Sequence, residues 1–175
     1  MASEIALEDP SLSLQEIRSG VLGISKKAAE RGKEVHSVAE EWAKSGNIGR
    51  VPAHQGYVDA FQSWVETVKP RASESEVELF SEEYGYAGRC DIVVDINDTL
   101  WLIDVKTGKG IYKETGLQLV AYRQALMEMG IAEVDKMGVV LCKEDGEFVF
   151  QETKSVIEDF VNVQRVWEWY QKKED

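Results

Sequence analysis

Gln55 to Val68 places Val58, Phe61, Trp64, Val65 and Val68 at intervals of three and four residues, the spacing of a helix with one buried face, and Pro70 ends it. Pro10 to Arg18 predicts a short helix, and Ser25 reads as the N-cap of a longer one reaching Lys44. Ser45 to Pro52 is a loop by composition. Thr115 to Met129, closed by Gly130, and Thr153 to Lys172, with Val156, Phe160, Val163 and Trp167 on one face, predict two further helices. Between the helices the apolar period falls to two. Glu76 to Glu82, Val134 to Cys142 and Phe148 to Gln151 predict strands, the last two joined across Glu144-Asp-Gly146. The sharpest pattern runs from Gly88 to Lys106, where two runs rich in Val and Ile flank the turn-forming pair Asn97-Asp98. That is a β-hairpin.

A turn centred on Asn97-Asp98 makes opposed residues sum to 195, which sets Asp91 opposite Asp104. Directly opposed side chains share a sheet face with Cβ atoms about 5 Å apart. Lys106, two residues beyond Asp104, points to the same face. Ile92, Val94, Ile96, Trp101, Ile103 and Val105 make the other face wholly apolar. A strand that is apolar through its middle and acquires charge at one end reads as a buried strand delivering a site. The plainer alternative is a solvated hairpin with an ordinary salt bridge. It is disfavoured because the charges lie far from the turn, beside Gly108 and Gly110. Two carboxylates this close repel unless a cation sits between them, and the hard divalent ions Mg²⁺ and Mn²⁺ prefer oxygen ligands.

Gly88-x-x-Asp91, Asp104-x-Lys106 and Gln118-x-x-x-Tyr122, preceded by Gly32-x-x-x-His36, resemble the motifs of the PD-(D/E)XK nuclease superfamily. More narrowly they are similar to its RecB-like exonuclease branch, which includes phage, mitochondrial and CRISPR-associated single-strand exonucleases. The resemblance covers residues 25–130 by motif order. It implies an α/β fold with a restriction-endonuclease-like core, a central mixed sheet flanked by helices on both faces. The predicted order of elements fits that layering. One domain over residues 1–175 follows, with a helical part at 10–70, a catalytic core at 75–152 and a C-terminal helix at 153–172.

The resemblance also implies a metal-dependent DNA exonuclease with Asp91, Asp104 and Lys106 as catalytic residues. His36, Asp91, Asp104 and the Val105 carbonyl would hold Mg²⁺ or Mn²⁺. A lone histidine on a helix is by itself more often a carboxylate partner or a surface residue, so His36 takes its ligand role from the resemblance. Gly32, one turn earlier, suggests close packing of that helix on the sheet. A second ion would need another acid. A turn centred on Tyr84-Gly85 favours Glu78, while Glu76 and Glu82 share its alternation. Gln118 and Tyr122, one helical turn apart, would position Lys106 and the substrate strand; by their types alone they also suit the edge of a core. Lys109 and Lys113 are the expected phosphate contacts. Two alternatives stay open: an endonuclease of the same chemistry acting on branched or structured ends, and a non-catalytic binding or assembly module.

Composition sets bounds on this picture. The chain has 175 residues, 43% hydrophobic and 30% charged, enough to bury a core. No apolar stretch approaches a membrane span, and the acidic start is no signal peptide. Cys90 and Cys142 sit in apolar runs and read as reduced buried thiols. Some members of the branch hold an iron–sulfur cluster through four cysteines, which two cannot do. The resemblance places the chain in the cytoplasm of a bacterial or phage-infected cell, on single-stranded DNA, with phage or host recombination or repair proteins as partners. A net charge of −12 runs against a nucleic-acid enzyme, yet it is unevenly spread. Residues 18–50 carry seven basic and four acidic side chains and residues 105–125 four and one, a net of +3 each, so the remainder carries −18. Binding to long duplex DNA should be weak and salt-dependent. Trp64, Trp101 and Trp167 read as core, whereas Trp42 and Tyr57 are candidates to stack on bases. His54 falls in a loop with no motif and reads as structural or exposed.

Overall fold

The computed structural model describes residues 14–171. Helix α1 spans Leu14–Ser45 without interruption, so Ser25 lies inside a helix rather than at its start; the expected helix from Pro10 begins outside the described residues. A single 3-10 turn, Pro52–His54, leads into α2, Gln55–Val68, as the apolar spacing predicts. Lys69 adopts a left-handed conformation (φ 54°) and its N–H returns to the Val65 carbonyl at 2.9 Å, closing α2 just before Pro70. Helix α3 spans Lys113–Glu128 and α4 Ile157–Gln171. The last helix starts later than its periodicity suggests because strand structure continues through Thr153.

The strands are β1 (Arg71–Ser81), β2 (Tyr86–Asp95), β3 (Leu100–Thr107), β4 (Lys136–Cys142) and β5 (Phe148–Thr153). They lie side by side in chain order, all neighbours antiparallel except β3 and β4, which are parallel. A parallel pair needs a crossover, and α3 supplies it. The sheet is therefore mixed and covered on both faces. On one face Val35, Val38, Ala39 and Trp42 of α1 and Val58, Phe61 and Trp64 of α2 pack on Ile92, Val94, Ile96, Trp101, Ile103 and Val105. On the other, Leu119, Val120, Ala125 and Leu126 of α3 pack on Val93, Leu102, Met137 and Val139.

The central hairpin has the expected register from Asp95–Leu100 to Ile92–Ile103, but the ladder stops there, so the expected direct opposition of Asp91 and Asp104 is not formed. Asn97 and Asp98 both have positive φ (55° and 61°), and Ile96 and Thr99 exchange both backbone hydrogen bonds, so the loop has two residues. Ile92 opposes Ile103 and Val94 opposes Trp101.

The first hairpin departs from expectation. Its loop is Glu82 to Gly85, four residues, closed by Gly85 N–H to the Ser81 carbonyl (3.0 Å) and by Tyr84 N–H to Ser81 Oγ (3.1 Å). Glu78 consequently pairs with Arg89, and Glu76 is the residue that comes level with Asp91, between the pairs Ser75–Ile92 and Val77–Cys90. At that level the ribbon changes face. Strict alternation would put Cys90 with Ile92, yet Cys90 packs with Leu79 and Val93 in the opposite layer. Glu76 carries the distortion at φ 50°, a conformation that costs a non-glycine residue about 1 kcal/mol or more. The switch turns Asp91 toward α1.

Two aromatic assignments are corrected. Trp42 (7% exposed) and Tyr57 (9%) are buried, Trp42 edge-on to Phe61 and Trp64, so neither offers a face to a base. Trp167 (60% exposed) stands outside the core that takes Trp64 and Trp101, because α4 buries only the side bearing Ile157 and Phe160.

Candidate active site

The site forms where the β2–β3 ladder ends. Ile92–Ile103 is its last pair, and the two strands separate beyond it. Asp91 occupies the opening: its Oδ2 accepts the Val105 N–H at 2.8 Å, and its Oδ1 lies 3.2 Å from His36 Nδ1. Asp104 is buried, with Oδ1 taken by Lys106 Nζ at 2.9 Å. Lys106 Nζ also reaches Gln118 Oε1 at 3.5 Å, and Gln118 Nε2 donates to the Tyr122 hydroxyl at 3.0 Å. His36 therefore enters from one helical layer and Gln118 and Tyr122 from the other.

This set of side chains fits a divalent cation. His36, Glu76 and Asp91 each offer a ligand atom, all within 4.8 Å of one another. Asp104 Oδ2 is buried with no hydrogen-bond partner, which is expensive for a carboxylate unless something outside the chain is meant to meet it. Carboxylate oxygens with one imidazole make a donor set for a divalent cation. Val105 takes part through its amide, which orients Asp91, and its fully buried side chain leaves only the main chain to face the site.

Burial and mutual charge shift the titrating groups of the site. Burial lifts the Asp104 carboxyl above its ordinary range, and Asp91 adds to the shift against the pull of Lys106 and His36. Burial also lifts Glu76, with Arg89 opposing and Asp91 reinforcing. For His36, burial lowers the imidazole, but the hydrogen bond to Asp91 and the charges of Asp91 and Asp104 outweigh it, and the net shift is upward. All three groups hold protons more tightly folded than unfolded. For His36 the stabilisation is complete below 6.5 and is lost as pH rises through the raised folded value; for the two acids, destabilisation by the charged form is relieved as pH falls toward 3.8 and 4.5. The metal-free protein should thus gain stability as pH falls through the raised His36 range to 6.5, and Mn²⁺ should remove much of that dependence by replacing the protons. Thermal unfolding in EDTA and in Mn²⁺ across this range is the check; equal slopes would contradict it.

A cleft of about 550 Å³ opens over His36, Glu76 and Asp91, lined also by Gly32, Lys33, Ser37, Glu40, Arg89 and Tyr122, with Asp104 and Lys106 behind its wall rather than on it. Gly32 lies in it with Thr107 Oγ1 3.8 Å from where a Cβ would stand, an ordinary contact distance, so packing against β3 does not itself demand glycine there. Gly88 is different. A Cβ there would come 2.3 Å from the Tyr122 ring, so the tyrosine seats on bare backbone. Gly88→Ala should cost about 1–3 kcal/mol in urea unfolding, and the loss should shrink in a Tyr122→Ala background. Equal costs in the two backgrounds would dissolve the contact.

The structure gathers Asp91, Asp104, Lys106, His36, Gln118 and Tyr122, whereas neither of the expected phosphate contacts bonds to any of them. Lys109 and Lys113 are exposed, and Lys113 borders a separate cleft with Tyr112, Glu152 and Lys154. His54 ends the 3-10 turn, 3.6 Å from Glu34. Sequence reasoning left Glu76 unresolved among three acids and did not single out Arg89, whose Nε lies 2.7 Å from Glu76 Oε2. Only the four-residue loop at Glu82–Gly85 would have pointed to Glu76.

Among solved structures, the chain is similar to a "putative exonuclease" from Eubacterium rectale, at 11% identity and TM-score 0.54, over 79% of this chain and 64% of that one. It is also similar to the protein SSO0001, at 16% identity and TM-score 0.43, over 67% and 58%. The chain thus spans about six-tenths of the length of these structures. No curated protein matches. A model of the PD-(D/E)XK nuclease superfamily matches residues 52–172, a segment that holds Asp91, Asp104 and Lys106 but not His36. With the mixed sheet, the split hairpin and the Asp-x-Lys strand end in place, the chain belongs to the PD-(D/E)XK nuclease superfamily.

Proposed function

We propose that the chain is a divalent-metal-dependent deoxyribonuclease of the RecB-like exonuclease type, hydrolysing phosphodiester bonds at the ends of single strands. The observation that carries the proposal is the unpartnered Asp104 Oδ2, buried beside Asp91 and next to Lys106. An ion held by Asp91, Asp104, His36 and Glu76 would supply charge to polarise a scissile phosphate and acidify a water. The chain's own residues do the rest. Lys106, tethered by Asp104 and Gln118, directs its ammonium at the position where charge develops on phosphorus and orients the attacking water. Tyr122, fixed on Gly88 and by Gln118, walls the cleft. Lys33 and Arg89 line the same cleft and are placed to meet the strand's phosphates, whereas Lys113 borders another. A cleft of about 550 Å³ has room for a nucleotide and its phosphate. The similarity to the Eubacterium rectale protein supports action from an end.

The test uses 5′- and 3′-labelled single and double strands with Mg²⁺, with Mn²⁺ and with EDTA. Stepwise shortening of single strands from one end, only with metal, is expected. Internal cuts would make the chain an endonuclease, and no cleavage under any condition would overturn the proposal.

A further inference from the structure

Beyond Ile103, β3 has lost β2 as a neighbour while still pairing with β4, through Val105–Val140, Lys106–Leu141 and Thr107–Cys142. Val105 and Thr107, two residues apart, turn backbone groups toward the missing strand. Side chains meet both. Asp91 accepts the Val105 N–H at 2.8 Å, and Arg31 of α1 donates from Nη2 to the Thr107 carbonyl at 2.9 Å and from Nε to Thr107 Oγ1 at 3.2 Å. Lys106 is the residue between them. Arg31 is itself held, with its guanidinium 4.9 Å above the ring of buried Tyr57. A planar fork with several donors can meet a carbonyl and a hydroxyl together; a lysine ammonium on a flexible stem cannot do so in a fixed plane.

We propose that Arg31 is a positioning residue: it stands in for the absent β2 partner at the end of β3 and fixes the direction in which Lys106 leaves the strand. Its basic charge serves the strand end, so phosphate binding falls to other cations of the cleft. The part of this inference that concerns turnover rests on the nuclease reading above, whereas the part that concerns the strand end does not.

The experiment therefore has two arms on Arg31→Met, Arg31→Lys and Thr107→Val. Backbone amide exchange in the metal-free protein reads the strand end directly. Residues 105–107 should exchange at least about tenfold faster in both Arg31 variants, with Ile103 unchanged. In the second arm kcat on a short single strand should fall about 100-fold in Arg31→Met, with oligonucleotide Kd and Mn²⁺ affinity unmoved. Thr107→Val, which keeps the carbonyl contact, should lose less. Arg31→Lys retains charge and helix propensity and guards against a defect in folding. Unchanged exchange at 105–107 in both Arg31 variants would overturn the proposal. So would weakened oligonucleotide binding at unchanged kcat, which would make Arg31 a phosphate contact. A wild-type chain without activity would end the nuclease reading, and the exchange arm alone would then decide the role of Arg31.

Discussion

Asp104→Asn should lose cleavage by at least about 10³-fold and most Mn²⁺ affinity, yet leave the metal-free protein as stable as before or more so. Asparagine keeps the shape and an oxygen for Lys106 while removing a buried charge whose second oxygen has no partner. Burial and Asp91 already push the Asp104 carboxyl toward its protonated form, so the ionised state weakens the empty fold. Asp91→Asn should inactivate equally but cost about 1–3 kcal/mol, because both its oxygens are engaged, by Val105 N–H and by His36. One residue is held for the ligand and the other also for the fold. Urea unfolding in EDTA, Mn²⁺ calorimetry and cleavage on the two variants separate these roles. Equal stability losses would mean that Asp104 is satisfied in some way the geometry does not contain.

Lys106→Met should reduce kcat about 10²- to 10⁴-fold while Mn²⁺ and oligonucleotide affinities persist, since the ammonium acts on charge that develops only in the transition state. Mn²⁺ affinity should if anything rise, because Lys106 is the cation now bonded to Asp104 Oδ1. Lys106→Arg should not rescue turnover: a guanidinium plane cannot occupy the position of a point charge held between Asp104 and Gln118. Near-normal single-turnover rates in either variant would remove Lys106 from the chemistry.

The centre of the fold was legible because its signals are local. Asn97-Asp98 is a two-residue turn with both φ positive, so the register of β2 on β3 from Asp95 to Ile92 followed from arithmetic, and the faces of that stretch followed from alternation. The α2 helix was legible for the same reason: one apolar stripe between a loop and a proline. The first hairpin was not, because the Glu82–Gly85 loop is closed by the Ser81 hydroxyl as well as by backbone, and a shift of two residues moves Glu76 into the place expected for Glu78. The change of face at Glu76 breaks the alternation that sequence reading depends on, and it is what brings Asp91 to His36. Trp42 and Trp167 show the limit for helices. A stripe reveals which side is apolar, not what covers it; Trp42 is covered by α2, and Trp167 faces outward. Arg31 was countable only as charge, since its contact with Thr107 joins residues 76 positions apart.

We take the open end of the β2–β3 hairpin to be a cation site. Anomalous scattering from crystals soaked in Mn²⁺ tests it most directly. A peak within ligand distance of Asp91 and Asp104, absent in Asp104→Asn crystals, is the predicted result. A peak confined to surface carboxylates elsewhere, with the hairpin opening unchanged and Lys106 still on Asp104, would contradict it.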